Sequence, residues 1–278
     1  MARHGDITVV IPCFNHGRFL LESVDAALAQ DGGPPSVIVV DDGSTDTETR
    51  RALEELPDTV ELLRQENAGV SAARNAGFEN SDSELLLMVD ADDRLTPDAL
   101  DVLRPPLEAS PDVGYCYGLM KLIGAWSGVL RFPDFDPYIL LHRSIAGAQL
   151  GLMRRRCWED AGGFDPAIGG YEDWDFCLSA LEQGWRGLQI SRVTHEYRKH
   201  ERSGNEEHRR RYRHVCRQIR AKHPELFARR KEFARETDLG PLHRLAYRTY
   251  WAWRPIPAPI EKALYEKVLF RRNRPAIR

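Results

Sequence analysis

Four short apolar runs mark the first ninety residues, Ile7 to Ile11, Val37 to Val40, Val60 to Leu63 and Leu85 to Val89, and none of them alternates with polar positions. Runs of that kind read as strands buried on both faces, which calls for a parallel sheet covered by helices on each side. Each run is followed by a polar loop and then a stretch with helical spacing: Phe19 to about Leu28, the residues after Asp46 through Leu53 to about Leu56, Ser71 to Phe78, and about Thr96 to Leu107. Strand and helix alternating at this interval predict right-handed βαβ units and a Rossmann-like, doubly wound, mostly parallel α/β sheet. The polar loops at the carboxyl ends of the strands then share one edge, where ligands of such sheets gather.

After residue 110 the alternation loosens. Val113 to Leu119 and Lys121 to Leu130, interrupted by Gly124 and Gly128, predict a hairpin, and Phe132 to Tyr138 predicts loop. A short helix is expected over Met153 to Ala161, closed by Gly162-Gly163, and a second from Glu172 until Gly184. Gly187 to Ile190 and Val193 to Tyr197 predict two last strands, so this half is mixed. Beyond Gly204 basic helices follow, Glu206 to Lys222, Leu226 to Glu236, Leu239 to Trp253 and Ile260 to Phe270, with Pro255-Ile256-Pro257-Ala258-Pro259 as a stiff linker. The expected division is a body over residues 1–204, with a donor-binding half (1–110) and an acceptor and base half (111–204), and a helical C-terminal extension over 205–278.

Charge sharpens that division. The net charge of −3 over 278 residues hides 23 Lys and Arg against 10 Asp and Glu from Glu196 onward, so a tail of +13 follows a body of −16. Such a split suggests two jobs, or one body docked to an anionic surface through its tail. No apolar run approaches the roughly eighteen residues of a spanning helix, and the chain reaches strand-like sequence by Ile7 without a secretory layout. The five cysteines are scattered, with no Cys-x-x-Cys pair, and read as reduced thiols. A cytoplasmic protein is expected, with peripheral attachment at the cytoplasmic face of a membrane.

The chemistry gathers where strands end. Asp90, Asp92 and Asp93 close the fourth run, and carboxylates packed together cost free energy unless they share a positive charge. Hard oxygen ligands suit Mg²⁺ or Mn²⁺. Asp41 and Asp42 close the second run and face the same crevice, where a carboxylate can hydrogen-bond a nucleoside while a metal holds its diphosphate. Both groups also admit a plain reading as turns and helix starts, Asp42 through Gly43-Ser44 and the triad through Thr96-Pro97-Asp98.

Four segments in order, Val9-Val10-Ile11-Pro12-Cys13-Phe14-Asn15, Val39-Val40-Asp41-Asp42-Gly43-Ser44-Thr45-Asp46, Asn67 through Gly77, and Val89-Asp90-Ala91-Asp92-Asp93, resemble glycosyltransferase family 2, the inverting enzymes of GT-A fold. With Glu172-Asp173 the resemblance covers roughly residues 6 to 200. It implies a nucleotide-diphosphate-sugar donor, with a UDP-sugar favoured, a divalent cation (Mn²⁺ or Mg²⁺), and transfer with inversion to an acceptor hydroxyl in polysaccharide, glycan or glycolipid assembly. Carried onto this chain, Pro12, Phe14 and Asn15 line the nucleotide, Asp42 binds base or ribose, Asp90 and Asp92 form the metal motif beside Asp93, and Asp173 is the general base. Asp92 is favoured over Asp93 as the direct ligand because it completes the Asp-x-Asp spacing. Arg74 and Asn75 either contact the donor or buttress its loop. Arg198 is expected on the diphosphate and His200 in the metal shell.

Glu172 and Asp173 open a helix, whose N-terminus favours an ionised carboxylate; simple helix-start acidity is the alternative. Trp158 and Trp174 lie near enough in sequence to stack on a sugar face of the acceptor side that Glu172 borders, the alternative being core. From Gly240 aromatic and basic residues interleave, Tyr247, Tyr250, Trp251 and Trp253 with Arg244, Arg248 and Arg254, then Phe270 before Arg271-Arg272. That pattern fits an interfacial anchor on an anionic membrane, or a helix packed on the body or on a second copy in a homo-oligomer. No nucleic-acid-binding module surrounds the charge. A nucleotidyltransferase of similar architecture and a non-catalytic nucleotide-sugar-binding scaffold are the competing functions.

Overall fold

The computed structural model describes residues 4–125, 127–145, 151–199 and 205–251. Its first half follows the expected alternation: β1 (Ile7–Cys13), α1 (Gly17–Leu28), β2 (Ser36–Asp41), α2 (Thr47–Glu54), β3 (Val60–Arg64), α3 (Val70–Glu79) and β4 (Leu85–Met88). Then come β5 (Arg94–Leu95), α4 (Ala99–Ala109), β6 (Val113–Gly124), β7 (Gly128–Leu130), α5 (Pro137–Leu140), β8 (Met153–Arg154), α6 (Arg155–Asp160), α7 (Glu172–Glu182) and β9 (Arg186–Lys199). α8 (Asn205–Lys222), α9 (Pro224–Ala228), α10 (Arg230–Glu236), α11 (Pro241–Ala246) and a π-helical turn over Tyr247–Trp251 complete the described chain.

The strands form one sheet in the order β3-β2-β1-β4-β8-β6-β9-β5, with β7 beside β6. β3, β2, β1 and β4 are mutually parallel, β8 runs antiparallel to both β4 and β6, and β9 is parallel to β6 but antiparallel to β5. This is the mixed α/β sheet of a GT-A-like fold. The period of two along buried strands feeds two cores. Ile7, Val9 and Ile11 of β1 join Leu20 and Val24 of α1 and Leu100 and Leu103 of α4 on one face, while Val10 joins Ala73 and Phe78 of α3 and Phe176 of α7 on the other. α3 lies so close to β1 that a Cβ on Gly77 would stand 2.4 Å from Val10 Cγ1. Glycine there is what lets the helix seat on the strand.

Several boundaries differ from expectation for identifiable reasons. Met153 and Arg154 are strand rather than helix, because Leu85, Leu86 and Tyr115 offer them ladder partners in the sheet. The two last strands are one, β9, whose register against β6 shifts between Tyr117 and Leu119. Asp136 accepts hydrogen bonds from the Tyr138 and Ile139 N–H groups and so turns expected loop into the short helix α5. The helix expected over Leu226 to Glu236 is two, α9 and α10. The tail expected from Trp253 onward, Arg254 and Phe270 included, lies outside the described residues, as does His200.

The apolar cluster that begins in the sheet runs on into the basic segment. Tyr212, Val215, Cys216 and Ile219 of α8, Leu226 of α9 and Phe233 of α10 are buried against α5 and α7. A polar pin fixes the same contact: His223 Nε2 lies 3.0 Å from Asp175 and its Nδ1 3.0 Å from Glu182, both on α7, while Lys222 Nζ reaches Asp165 and Asp175 at 2.7 Å each. Leu242 and Leu245 of α11 stand 82% and 50% exposed. No helix among the described residues is long and apolar enough to cross a membrane.

The pin has a testable sign. Burial works against the His223 charge, but Asp175 and Glu182 more than offset it and hold the imidazole above its ordinary value of 6.5. Its contribution is therefore complete below pH 6.5 and fades as pH rises through the higher folded-state value. His223→Gln should lose on the order of 2 kcal/mol at pH 6 and progressively less at higher pH, as read by urea denaturation across pH 6 to 9. A deficit that does not shrink with pH would show that the imidazolium does not hold the contact.

Candidate active site

The parallel strands bring their carboxyl ends to one edge, and the loop after each carries a different job. After β1, Phe14 stands 43% exposed, and Asn15 takes a left-handed φ of 57°. The Asn15 side-chain oxygen accepts the N–H groups of Thr45 and Asp46, tying this loop to the one after β2. Pro12 is buried within β1, paired with Val40. Asp41 accepts the Ser44 N–H. Asp42 is buried, and its carboxylate accepts Gln65 Nε2 at 2.7 Å, the Ala68 N–H at 2.8 Å and the Gly69 N–H at 2.9 Å. It therefore organises the loop between β3 and α3, whatever else it binds.

Beyond β4 the chain turns tightly, with the Asp93 N–H donating to the Asp90 carbonyl at 2.9 Å. The turn throws three carboxylates together: one oxygen each of Asp90, Asp92 and Asp93 lies within 4.8 Å of the others. Asp90 and Asp92 are half-buried and Asp93 fully buried. Burial, then the Asp90 and Asp92 charges, push the Asp93 carboxyl up to about 9, although the Arg198 N–H donates to it at 2.7 Å. Asp90 is also raised, by burial first, with Arg74 opposing. His16 Nδ1 stands 3.7 Å from Asp92.

Arg74 joins this cluster to the far side of the site. It is 2% exposed, and its guanidinium donates to Asp90 Oδ1 at 2.8 Å and to Glu172 Oε1 at 2.7 Å. Burial opposes its charge, but the two carboxylates prevail and hold it well above the ordinary arginine value. Glu172 and Asp173 open α7 after Gly170 and Tyr171, both with positive φ (73° and 83°). The left-handed pair swings the helix start towards Arg74. Asp173 is buried and accepts Ser144 Oγ at 3.0 Å. Its carboxyl is pushed up to about 7, by burial and then by Glu172, against the pull of Ser144, the Trp174 N–H and Arg74. The helix terminus expected to keep it ionised is thus outweighed by desolvation.

Residues 8–139 match the family described as Glycosyl transferase family 2. That stretch is a glycosyltransferase family 2 domain. Glycosyltransferase GlyG of Streptococcus pneumoniae is 37% identical over 151 residues, 52% of this chain, and the chain spans 50% of that relative's length. Among solved structures, residues 1–349 of Staphylococcus aureus TarS in complex with UDP-GlcNAc align over 94% of this chain and 76% of that one, with a TM-score of 0.65 and 20% identity. The mannosyltransferase PcManGT of Pyrobaculum calidifontis, in complex with GDP-Man and Mn²⁺, aligns over 96% and 82%, with a TM-score of 0.60 and 22% identity. The family 2 match ends within α5, so α7 with Glu172 and Asp173 lies beyond it.

Within the family 2 domain and the half that follows, the structure gathers Asp90, Asp92, Asp93, Arg74, Glu172 and Asp173, and it reassigns others. Trp174 is buried, donating from Nε1 to the Leu140 carbonyl at 2.6 Å and stacked on Tyr212. Trp158 is buried edge-on to Phe78. Neither can stack on a sugar, because both rings are already spent in the core. Asn75 donates to the Phe164 carbonyl at 2.7 Å and accepts its N–H at 2.9 Å, the buttressing alternative rather than donor contact. Arg198 donates from Nε to the Asp92 carbonyl at 2.8 Å and from Nη2 to Glu22 at 2.6 Å, and covers the Phe19 ring. It clamps the acidic turn instead of reaching outward for a diphosphate.

The opposite face of the same strand carries two groups that sequence reading missed. Burial raises the Tyr197 phenol, and the charges of Asp93, Asp90, Asp92 and Asp173 raise it further. Lys199 Nζ donates to Tyr197 OH at 3.1 Å. The period of two in β9 was the available signal, since Tyr197 and Lys199 flank Arg198 and share a face. Ser144 had no signal, because a serine 29 residues from its partner leaves no spacing to read.

Arg74→Met tests the bridge. Removing the cation strands Asp90 and Glu172 with no compensating charge, and the expected loss is about 3–5 kcal/mol in chemical denaturation followed by circular dichroism. A loss under about 1 kcal/mol would mean that the carboxylates find other partners without rearrangement.

Proposed function

We propose that this chain is an inverting glycosyltransferase that passes a sugar from a nucleotide-diphosphate donor, a UDP-sugar by preference, to an acceptor hydroxyl in glycan, polysaccharide or glycolipid assembly. The observation that carries the reading is the Arg74 bridge, which sets a buried carboxylate of raised affinity for protons, Asp173, opposite a crowded acidic turn at a sheet edge. A nucleotidyltransferase has no need of a base so placed, and a passive scaffold has no need of either feature.

The acidic turn suits a hard divalent ion, Mn²⁺ or Mg²⁺, because its three mutually repelling oxygens are relieved by shared positive charge. Asp90 and Asp92, half-buried, would hold the ion, while Asp93, buried and bound by the Arg198 N–H, shapes the turn behind them. When bound, such an ion neutralises charge on a departing diphosphate. Asp173 accepts the proton of the attacking hydroxyl, as a base with a value near neutrality does most effectively. Ser144 orients that carboxylate, and Glu172, held by Arg74, keeps its affinity for protons high. Phe14, exposed at the sheet edge, offers a face for a nucleobase beside Asp42.

Two sets of variants test this. Asp92→Asn should abolish Mn²⁺-dependent binding of UDP-sugars in calorimetry, and Asp93→Asn, which keeps an acceptor for the Arg198 N–H behind the ligand pair, should retain most of it; equal behaviour of the pair would remove the metal assignment. Asp173→Asn should lower turnover by roughly 10² to 10⁴ with donor affinity unchanged. In the wild type kcat/KM should rise with pH through about 7 as Asp173 loses its proton, and Ser144→Ala should move that limb upward, since the hydroxyl stabilises the anion. An ascending limb near 4, unmoved by Ser144→Ala, would assign the base elsewhere.

A further inference from the structure

The short helix α5 leads straight to the candidate base: Ser144, four residues past its end, donates to Asp173. Five arginines close around this helix. Arg143 precedes Ser144 and donates to its carbonyl at 3.0 Å. Arg220 comes from α8, half-buried against the Phe227 ring. Arg230 opens α10, which packs on α5. Arg244 lies on α11, its carbonyl accepting Tyr138 OH at 3.0 Å, and Arg248 follows in the π-helical turn. The acid facing them, Asp136, is committed to the Tyr138 and Ile139 N–H groups and to Thr237 Oγ1.

Their combined field is felt at buried side chains. His142 is pushed down to about 4, by burial first and then by Arg230, Arg220 and Arg248 despite the Tyr138 carbonyl beside it. Arg248, Arg230 and Arg244 likewise act on Tyr138, and Arg143 on Tyr247. Arg230 and Arg248 are exposed, and among the described residues no carboxylate forms an ion pair with Arg230, Arg244 or Arg248. Concentrating like charge is unfavourable in the free protein and becomes favourable once an anion arrives. Guanidinium forks are matched to phosphate oxygens.

We propose that this arginine group binds phosphate on the acceptor, so that the substrate receiving the sugar is a phosphorylated, polyanionic molecule and not a neutral glycan. The inference rests on the transferase reading above, because it is the position of Asp173 that makes this the acceptor side. Phosphate held around α5 would bring a neighbouring hydroxyl towards Asp173 along the line from Arg143 to Ser144.

The test uses the full chain saturated with UDP and Mn²⁺, so that donor subsites are filled, and titrates it with fructose 1,6-bisphosphate and with fructose at constant ionic strength. The bisphosphate should bind and fructose should not, and Arg230→Gln/Arg248→Gln should weaken the bisphosphate about tenfold or more while UDP affinity stays constant. Absence of bisphosphate binding, or equal binding by the double variant, overturns the proposal. Phosphatidylglycerol vesicles supply the other arm: a double variant that no longer sediments with them, yet binds bisphosphate like wild type, makes the patch a membrane contact and also overturns it. Failure of UDP to bind wild type counts against the transferase reading instead, and the bisphosphate comparison then reads the arginines separately. Both substituted side chains are exposed, and the single variants serve if the double variant unfolds.

Discussion

One buried cation organises this molecule. Arg74 has no water to hydrate it, so its charge is tolerable only while Asp90 and Glu172 remain within hydrogen-bond reach. Those partners belong to different halves of the chain, one to the turn after a parallel strand and the other to a helix that starts 98 residues beyond Arg74. The energetic demand of a single guanidinium thus fixes the distance between the two walls of the crevice. α3 can hold Arg74 there because Gly77, one turn further along, lets the helix settle against β1 without an intervening side chain.

Around that bridge the carboxylates are tuned by their degree of burial. Asp93 is sealed and favours the neutral acid, Asp173 sits near neutrality under the opposing influences of Glu172 and Ser144, and Asp92 keeps contact with solvent. A crevice lined by acids of identical chemistry can in this way divide labour, since desolvation and neighbouring charge move each proton affinity separately. The C-terminal helices take part too. Trp174 stacks on Tyr212 of α8, and Asp175 is held by Lys222 and His223, so the helix that presents Asp173 is braced by the C-terminal segment.

The first half of the fold was legible because each βα unit carries its own signal: an unbroken apolar run, a polar loop, a helical stripe. The strand-end acids were legible for the same reason, being local. What sequence could not show was partnership at a distance. Met153 and Arg154 have helical neighbours and become strand only because Leu85 and Tyr115 receive them. Trp158 and Trp174 look like sugar platforms beside an acidic helix start, yet burial of so much aromatic surface against Phe78 and Tyr212 settles them in the core. Arg198 resembled a hand for phosphate and proved to be a strap across a turn, while its neighbours Tyr197 and Lys199 lie on the other face of the strand and touch each other.

That strap carries a consequence for biosynthesis. The Asp93 carboxylate receives its hydrogen bond from a backbone N–H 105 residues further along the chain. At a synthesis rate of roughly 5–20 residues per second, the acidic turn exists for several seconds or more before β9 can be made and drawn in beside β5. During that interval the N-terminal βα units can assemble around their own apolar runs and Arg74 can reach Asp90, but the turn that bears Asp92 lacks the clamp that Arg198 supplies. Nascent protein therefore acquires its scaffold early and its acidic turn late, and a pause in translation just before Arg198 would hold the chain in a state that is folded in its first half and chemically unfinished.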